Sequence, residues 1–225
     1  MGDYNSFRGY GVRRVFDTEL LERGGVPEDL VERAYRELTR IHRFLGDTAS
    51  VVSAVRSDPL PVKRVLDIGC AGGGVLRDVA NQLCVEVVGV DLNLPVRTDA
   101  KIPIVRANAV RDSLPAADVA FSMYLGHHLT EHDLIGLIRN VGRHCRRFIL
   151  LDLVRHPLPL VLFRLLIAPF VSRIVVADGL LSIRRAYTPA ELGKLTGEAL
   201  AGTGAQFRHS VAPFYMRQVL DISYS

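Results

Sequence analysis

The 225-residue chain is poor in lysine: Lys63, Lys101 and Lys194 stand against 25 arginines, and the net charge is only +4. The adjacent pairs Arg13-Arg14, Arg146-Arg147 and Arg184-Arg185 are isolated, with no long basic run, so the bias reads as coding preference rather than a nucleic-acid surface. Cysteine is scarce too. Cys70, Cys84 and Cys145 are odd in number and lack a C-x-x-C pair, which argues against a disulfide framework or a zinc site and for a reducing, cytoplasmic setting. No metal site is expected. Met1–Ser6 lacks the basic-then-apolar pattern of a secretory leader, although Gly2 and Ser6 fit the short myristoylation pattern. Long uncharged runs are missing as well. Arg164, Pro169 and Arg173 interrupt the apolar stretch Leu158–Ala177, short of the roughly 20 residues a membrane helix needs. That stretch is expected to form a half-buried cap helix, with an interfacial helix as the alternative.

What remains is ordinary globular material, 48% apolar and 23% charged, enough for one cored domain with a small appendage. The first 60 residues read as helical. Pro27 opens a helix whose apolar positions Leu30, Val31, Ala34, Leu38, Ile41 and Leu45 run to Gly46, and a second helix covers Ala49–Arg56. After Asp58-Pro59-Leu60-Pro61 the pattern changes. Strands are expected over Val62–Ile68, Val85–Val90, Ile102–Val105, Val119–Met123 and Arg147–Leu153. Helices fall at about Gly73–Leu83 and Leu129–His144, the latter capped by Thr130, and a third opens at Thr188-Pro189-Ala190-Glu191. Phe207–Val211 and Tyr215–Ile222 read as a closing hairpin. The alternation implies a doubly wound, mostly parallel α/β sheet, with a helical segment over 1–61, a main domain over 62–225 and an apolar lid at about 157–187.

The chemistry concentrates at Val65-Leu66-Asp67-Ile68-Gly69-Cys70-Ala71-Gly72-Gly73-Gly74. An apolar strand runs into glycines and then a helix, so backbone approaches a ligand closely and unpaired N–H groups face it. Asp91 ends the next strand 22 residues after Gly69, where an acid can accept from both hydroxyls of an adenosine ribose. Gly69-x-Ala71-x-x-Gly74 loosely fits the dinucleotide turn. Asp67, one residue before the turn's own strand end, would repel a pyrophosphate but suits a cationic amino acid moiety.

On these motifs the chain resembles the class I S-adenosylmethionine (SAM)-dependent methyltransferases. VLDIGCAGGG is similar to their first motif, VEVVGVDLN to their ribose segment, Asn108-Ala109 through Leu114-Pro115 to the adenine side, and Asp118–Leu129 to the fourth-strand motif. ERAYRELTRIHRFLGDT, LLDLVRH and SIRRAYTPAEL resemble a bacterial subgroup associated with polyketide and related natural products. The resemblance, from about Glu28 onward, implies a seven-stranded Rossmann-like sheet that binds SAM and releases S-adenosylhomocysteine (SAH). It implies cofactor contacts from Asp67, Gly69, Cys70, Ala71, Gly73, Asp91, Leu92, Asn108, Ala109 and Tyr124. Two positions depart from the pattern. Ala71 replaces a glycine and crowds the amino acid end, and Asn108 replaces an Asp, its amide oxygen still an acceptor for the adenine amine. The link from Asp91 to Ile102 is also short for a parallel crossover.

Acceptor chemistry belongs at the carboxyl ends of the fourth and fifth strands. His127 and His128 are candidate bases there because imidazole titrates near neutrality, with His128 the better candidate for a scaffold role. Asp152 and Arg155 either orient a substrate hydroxyl or hold each other as a buried pair. One of Arg184 and Arg185 is a further pocket candidate. The lipophilic lid, with Phe163 and Phe170, favours a small aromatic or apolar acceptor methylated at oxygen, and a homodimer interface is its competing role. Tyr4, Phe7 and Tyr10 either close over the same pocket or belong to a disordered tail. Other functions weighed are a non-catalytic SAM binder, an RNA methyltransferase and an NAD-dependent oxidoreductase.

Overall fold

A computed structural model describes residues 11–93 and 102–225. The myristoylation pattern, Tyr4, Phe7, Tyr10 and most of the short link before Ile102 lie outside the described residues. Seven strands form one sheet: β1 (Arg64–Ile68), β2 (Glu86–Asp91), β3 (Ile104–Arg106), β4 (Ala117–Met123), β5 (Cys145–Asp152), β6 (Gln206–Val211) and β7 (Gln218–Ser223). Their order is β3-β2-β1-β4-β5-β7-β6. All pairings are parallel except those of β7, which runs antiparallel to both neighbours. The expected doubly wound sheet with a closing hairpin is what the chain forms. Strand order reverses between β1 and β4, so the crevice outside their carboxyl ends is the place for a ligand.

The alternation of side chains across each strand feeds two cores. On one face Leu66, Ile68, Phe148 and Leu150 pack with Leu134, Leu137 and Ile138 of α5 (Glu131–Val141) and Leu192 and Leu195 of α8 (Pro189–Leu200). On the other, Val65, Val119, Phe121 and Ile149 meet Leu76 and Val79 of α4 (Gly74–Leu83). Val51, Val52 and Val55 of α3 (Asp47–Arg56) join that second cluster. Capping fixes where helices start. Thr130 accepts from the Asp133 amide at 3.1 Å, and Thr188 and Glu191 cap each other reciprocally, their backbone amides donating at 2.8 and 3.3 Å.

Two expectations at the chain's apolar and N-terminal segments need correction. Residues 11–19 are not helical; they run without regular structure into the short α1 (Leu20–Arg23), and α2 (Glu28–Phe44) follows. The apolar stretch is not one helix either. α6 (Pro157–Leu162) widens into a π-helical turn over Phe163–Ile167 and tightens at Ala168–Phe170, and α7 (Arg173–Arg185) starts anew. Pro169 lacks the N–H that would continue the helix and its ring crowds the preceding turn. Phe163 closes onto α7, where a Cβ on Gly179 would lie 2.5 Å from its ring. Leu165, Leu166 and Phe170 face outward, Phe170 being 82% exposed, so Phe170 lines no pocket here. Among the described residues no helix is long and apolar enough to cross a membrane.

Candidate active site

The strand-to-helix turn at β1 takes a left-handed backbone at three positions, Gly69 (φ 79°), Ala71 (φ 46°) and Gly73 (φ 78°). At Ala71 this costs strain that glycine would avoid. Cys70 tucks inward against Gly89 of β2, where a Cβ would lie 2.5 Å from its Sγ. Burial and the nearby Asp67 and Asp91 charges push its thiol pKa up, so Cys70 packs as an inert apolar group and offers the ligand its backbone. Asp91 accepts the Ala71 amide on one oxygen and the Asn93 amide on the other, each at 2.8 Å. Those bonds tie the β2 end to the β1 turn and leave each oxygen a second lone pair. Leu92 follows, half exposed.

Asp67 is 3% exposed, and its carboxyl has no hydrogen-bond partner among the described residues. Burial first, then the Asp91 charge, drives its pKa well above the usual carboxylate range. A buried acid on the strand that leads into a glycine turn is suited to an ammonium group arriving with a ligand. Asn108 spends its amide oxygen on the Val110 amide at 3.0 Å, an Asx turn, while its own amide donates to Asp112 at 2.8 Å. Ala109 beside it holds its carbonyl against the Asn140 amide at 2.9 Å.

The second half of the site follows β4. Leu125 packs on Gly69, where a Cβ would meet its side chain at 3.3 Å, so the two halves touch. Tyr124 sits at φ 57°, donates its hydroxyl to Asp47 at 2.7 Å and stacks on His42. Burial and the Asp47 charge raise its pKa. Asp47 is fully buried and also accepts from His42 Nδ1 and Arg217. His42 and Asp47 lie within ERAYRELTRIHRFLGDT but were not singled out as site residues, and Arg217 was not marked at all.

His127 lies in the tight turn Gly126–His128 and is 3% exposed. Its Nδ1 donates to Asp152 at 2.7 Å, and its Nε2 stands 3.6 Å from Glu19. Burial works against its charge, but Asp152 and Glu19 outweigh that and push its pKa up to about 9. His128 Nδ1 meets Glu22 at 2.6 Å, and the two rings lie 4.1 Å apart. Arg185, buried, reaches Glu22 at 2.6 Å and Glu19 at 3.5 Å, and the Ser182 hydroxyl donates to Glu19 at 2.7 Å. Asp178 accepts the amides of Leu20 and Leu21. Glu19, Glu22, Asp178 and Ser182 are the residues sequence reasoning missed. The local trace of the two glutamates is the E-x-x-E spacing of a capping box that opens α1, with Glu22 accepting the Glu19 amide at 3.1 Å.

Asp152 and Arg155 do not pair, contrary to one of the two alternatives. Asp152 serves His127 and the Leu153 amide. Arg155 spends its guanidinium on the carbonyls of Val12 and Ala186 and on Glu191 at 2.5 Å, the bonding of a clamp between the N-terminal segment and α8. Of the arginine pair, Arg185 turns in and Arg184 is exposed. Members of the other pairs also turn to internal bonds: Arg14 stacks on Tyr187 and bonds the carbonyls of Arg185 and Leu129, and Arg146 and Arg147 share Asp58.

No sequence-family model and no curated protein sequence matches the chain. Solved structures do match. The plantazolicin methyltransferase BpumL, in complex with a monoazolic desmethylPZN analog and SAH, superposes with TM-score 0.67 at 13% identity, covering 88% of this chain and 90% of that one. The SAM-dependent methyltransferase SibL in its apo form gives 0.62 at 18%, covering 92% and 63%. Human N-acetylserotonin methyltransferase with SAM gives 0.60 at 16%, covering 95% and 63%. The fold is therefore that of the class I SAM-dependent methyltransferases. At these identities the likeness is one of fold.

Proposed function

We propose that the protein is a SAM-dependent methyltransferase that methylates a small aromatic or apolar natural-product acceptor, at a hydroxyl oxygen, in the cytoplasm. The observation that carries this reading is the juxtaposition, through Leu125 on Gly69, of the acid-flanked glycine turn with the buried His127–Asp152 pair. The residues present fit the cofactor: Asp67 for its ammonium, the Gly69–Gly73 backbone for its amino acid end, Asp91 for the ribose hydroxyls, and Leu92, Asn108 and Ala109 around the adenine. When bound, SAM supplies a methyl group on a cationic sulfur, ready for displacement. The chain's own contribution is alignment and exclusion of water, with the charged His127 ring, oriented by Asp152, favouring ionisation of the acceptor's hydroxyl.

Residues 11–23 cover this end of the sheet through Arg14, Glu19 and Leu20. Together with the lid at about 157–187 they favour a small enclosed acceptor. The outward Leu165, Leu166 and Phe170 supply the surface for a homodimer. Calorimetry with SAM and SAH, followed by transfer of labelled methyl from SAM to a panel of phenolic acceptors, tests the reading. Binding without transfer to any acceptor favours a non-catalytic SAM binder, a reading supported by the internal bonds that Asp91 and Asn108 already make. Labelling of RNA instead redirects the assignment to nucleic acid.

A further inference from the structure

We infer that Glu19, His127 and His128 form a site for one divalent transition-metal ion, set where the acceptor's oxygen would lie. The inference rests on the methyltransferase reading only for the acceptor; the site itself stands on its own donors. One ligand atom from each of the three residues lies within 4.8 Å of the others. Metal–ligand bonds of about 2.0–2.2 Å bring donors to roughly 3–4 Å apart, so small side-chain rotations close the set. Two imidazoles and one carboxylate are the donors of ions such as Zn²⁺, Fe²⁺ and Co²⁺ rather than of Ca²⁺ or Mg²⁺.

Three features separate this cluster from a chance meeting of polar groups. First, each histidine has Nδ1 against a carboxylate, Asp152 at 2.7 Å for His127 and Glu22 at 2.6 Å for His128. That orients each ring through Nδ1 and leaves Nε2 of each turned away from those carboxylates, the outer support that metal-bound histidines have. The His127 Nε2 is the atom facing Glu19 at 3.6 Å. Second, the charges do not balance. Asp152, Glu19 and Glu22 face a single guanidinium, Arg185, whose short bond at 2.6 Å goes to Glu22 rather than to Glu19. Third, the donors are shielded: Glu19 and His127 are buried, and the less buried His128 completes the set. Three protein ligands leave coordination positions open. An acceptor hydroxyl bound there would ionise at a lower pH, the way a metal-bound water does. The substrate class that fits is an acceptor with an oxygen able to ligate the metal, such as a phenol or enol.

The test is a titration of chelator-treated full-length protein with Co²⁺, read by its visible absorption, followed by displacement with Zn²⁺. The expected result is one equivalent of Co²⁺ with a ligand-field band that Zn²⁺ abolishes. Glu19→Gln and His128→Ala should each weaken binding at least about tenfold, and Asp152→Asn about 10- to 100-fold through its hold on His127. His132→Ala, at a side chain 96% exposed on α5, should leave binding unchanged. Circular dichroism establishes that each variant folds, and calorimetry with SAM is run on the same samples. A SAM heat without stoichiometric Co²⁺ uptake overturns the metal site and leaves the methyltransferase reading standing. Co²⁺ uptake without a SAM heat does the reverse. Uptake that all three site variants retain, or that His132→Ala removes, also overturns the assignment.

Discussion

Gly126 makes room for Asp152. A Cβ at position 126 would lie 2.6 Å from Asp152 Oδ2, and the carboxylate has little freedom to retreat because its other oxygen holds His127 and the Leu153 amide, both at 2.7 Å. Gly126→Ala should therefore displace the carboxylate and tilt the His127 ring. The expected cost is about 1–3 kcal/mol of stability from overpacking, with a drop in transfer rate larger than the change in cofactor affinity. A variant with wild-type turnover and melting temperature would show that the contact relaxes freely.

Asp91 is the acceptor on which the cofactor's ribose depends in the proposed reading. Asp91→Ala removes charge-assisted hydrogen bonds to two hydroxyls and frees the Ala71 amide. Affinity for SAM should fall by about 10- to 100-fold in calorimetry, at roughly 1.5–3 kcal/mol for a bond to a charged group. Unchanged affinity rules out the ribose assignment.

Asp58 sets an acid limit on stability. Burial acts to raise its pKa, but Arg146 at 2.5 Å, the Leu60 amide and Arg147 hold it below the ordinary value. A folded-state pKa below the unfolded one stabilises the fold above about pH 4 and loses that contribution as pH falls through the lowered value. Asp58→Asn should be less stable than wild type by about 1–3 kcal/mol at pH 7 in urea unfolding. The difference should narrow on acidification; a constant gap speaks against this linkage.

Arg185 anchors the N-terminal segment over the site. Arg185→Leu leaves the buried Glu19 and the partly exposed Glu22 without their guanidinium, a change expected to cost about 1–3 kcal/mol. Trypsin should then cut faster at Arg13, Arg14 or Arg23 while the sheet resists. Equal cleavage rates in wild type and variant would place the anchor elsewhere, with Asp178 on the Leu20 and Leu21 amides the next to substitute.

Local pattern made much of this molecule legible. Val65–Ile68, apart from Asp67, and Phe148–Leu151 read as strands because residues buried on both faces must be apolar in succession. Thr130 and Thr188 marked helix starts because a hydroxyl accepts an orphan amide at that position. The glycine turn and Asp91 stood out because their spacing is set by one strand–helix–strand unit. The lid misled because apolar content alone does not say where a chain breaks; Pro169 does, and Phe170 turns outward beyond it.

By itself the sequence determined the sheet, the turn and the acids beside it, since each depends on neighbours a few residues away. It also singled out His127, His128, Asp152 and Arg155, but not what each would hold. Only the tertiary structure decided that Arg155 clamps Val12 and Glu191 while Asp152 turns to His127. It alone carried Glu19 and Glu22 from the start of the chain to the histidines after β4. Pairings between such distant segments depend on packing geometry in three dimensions, and residue spacing carries no record of it.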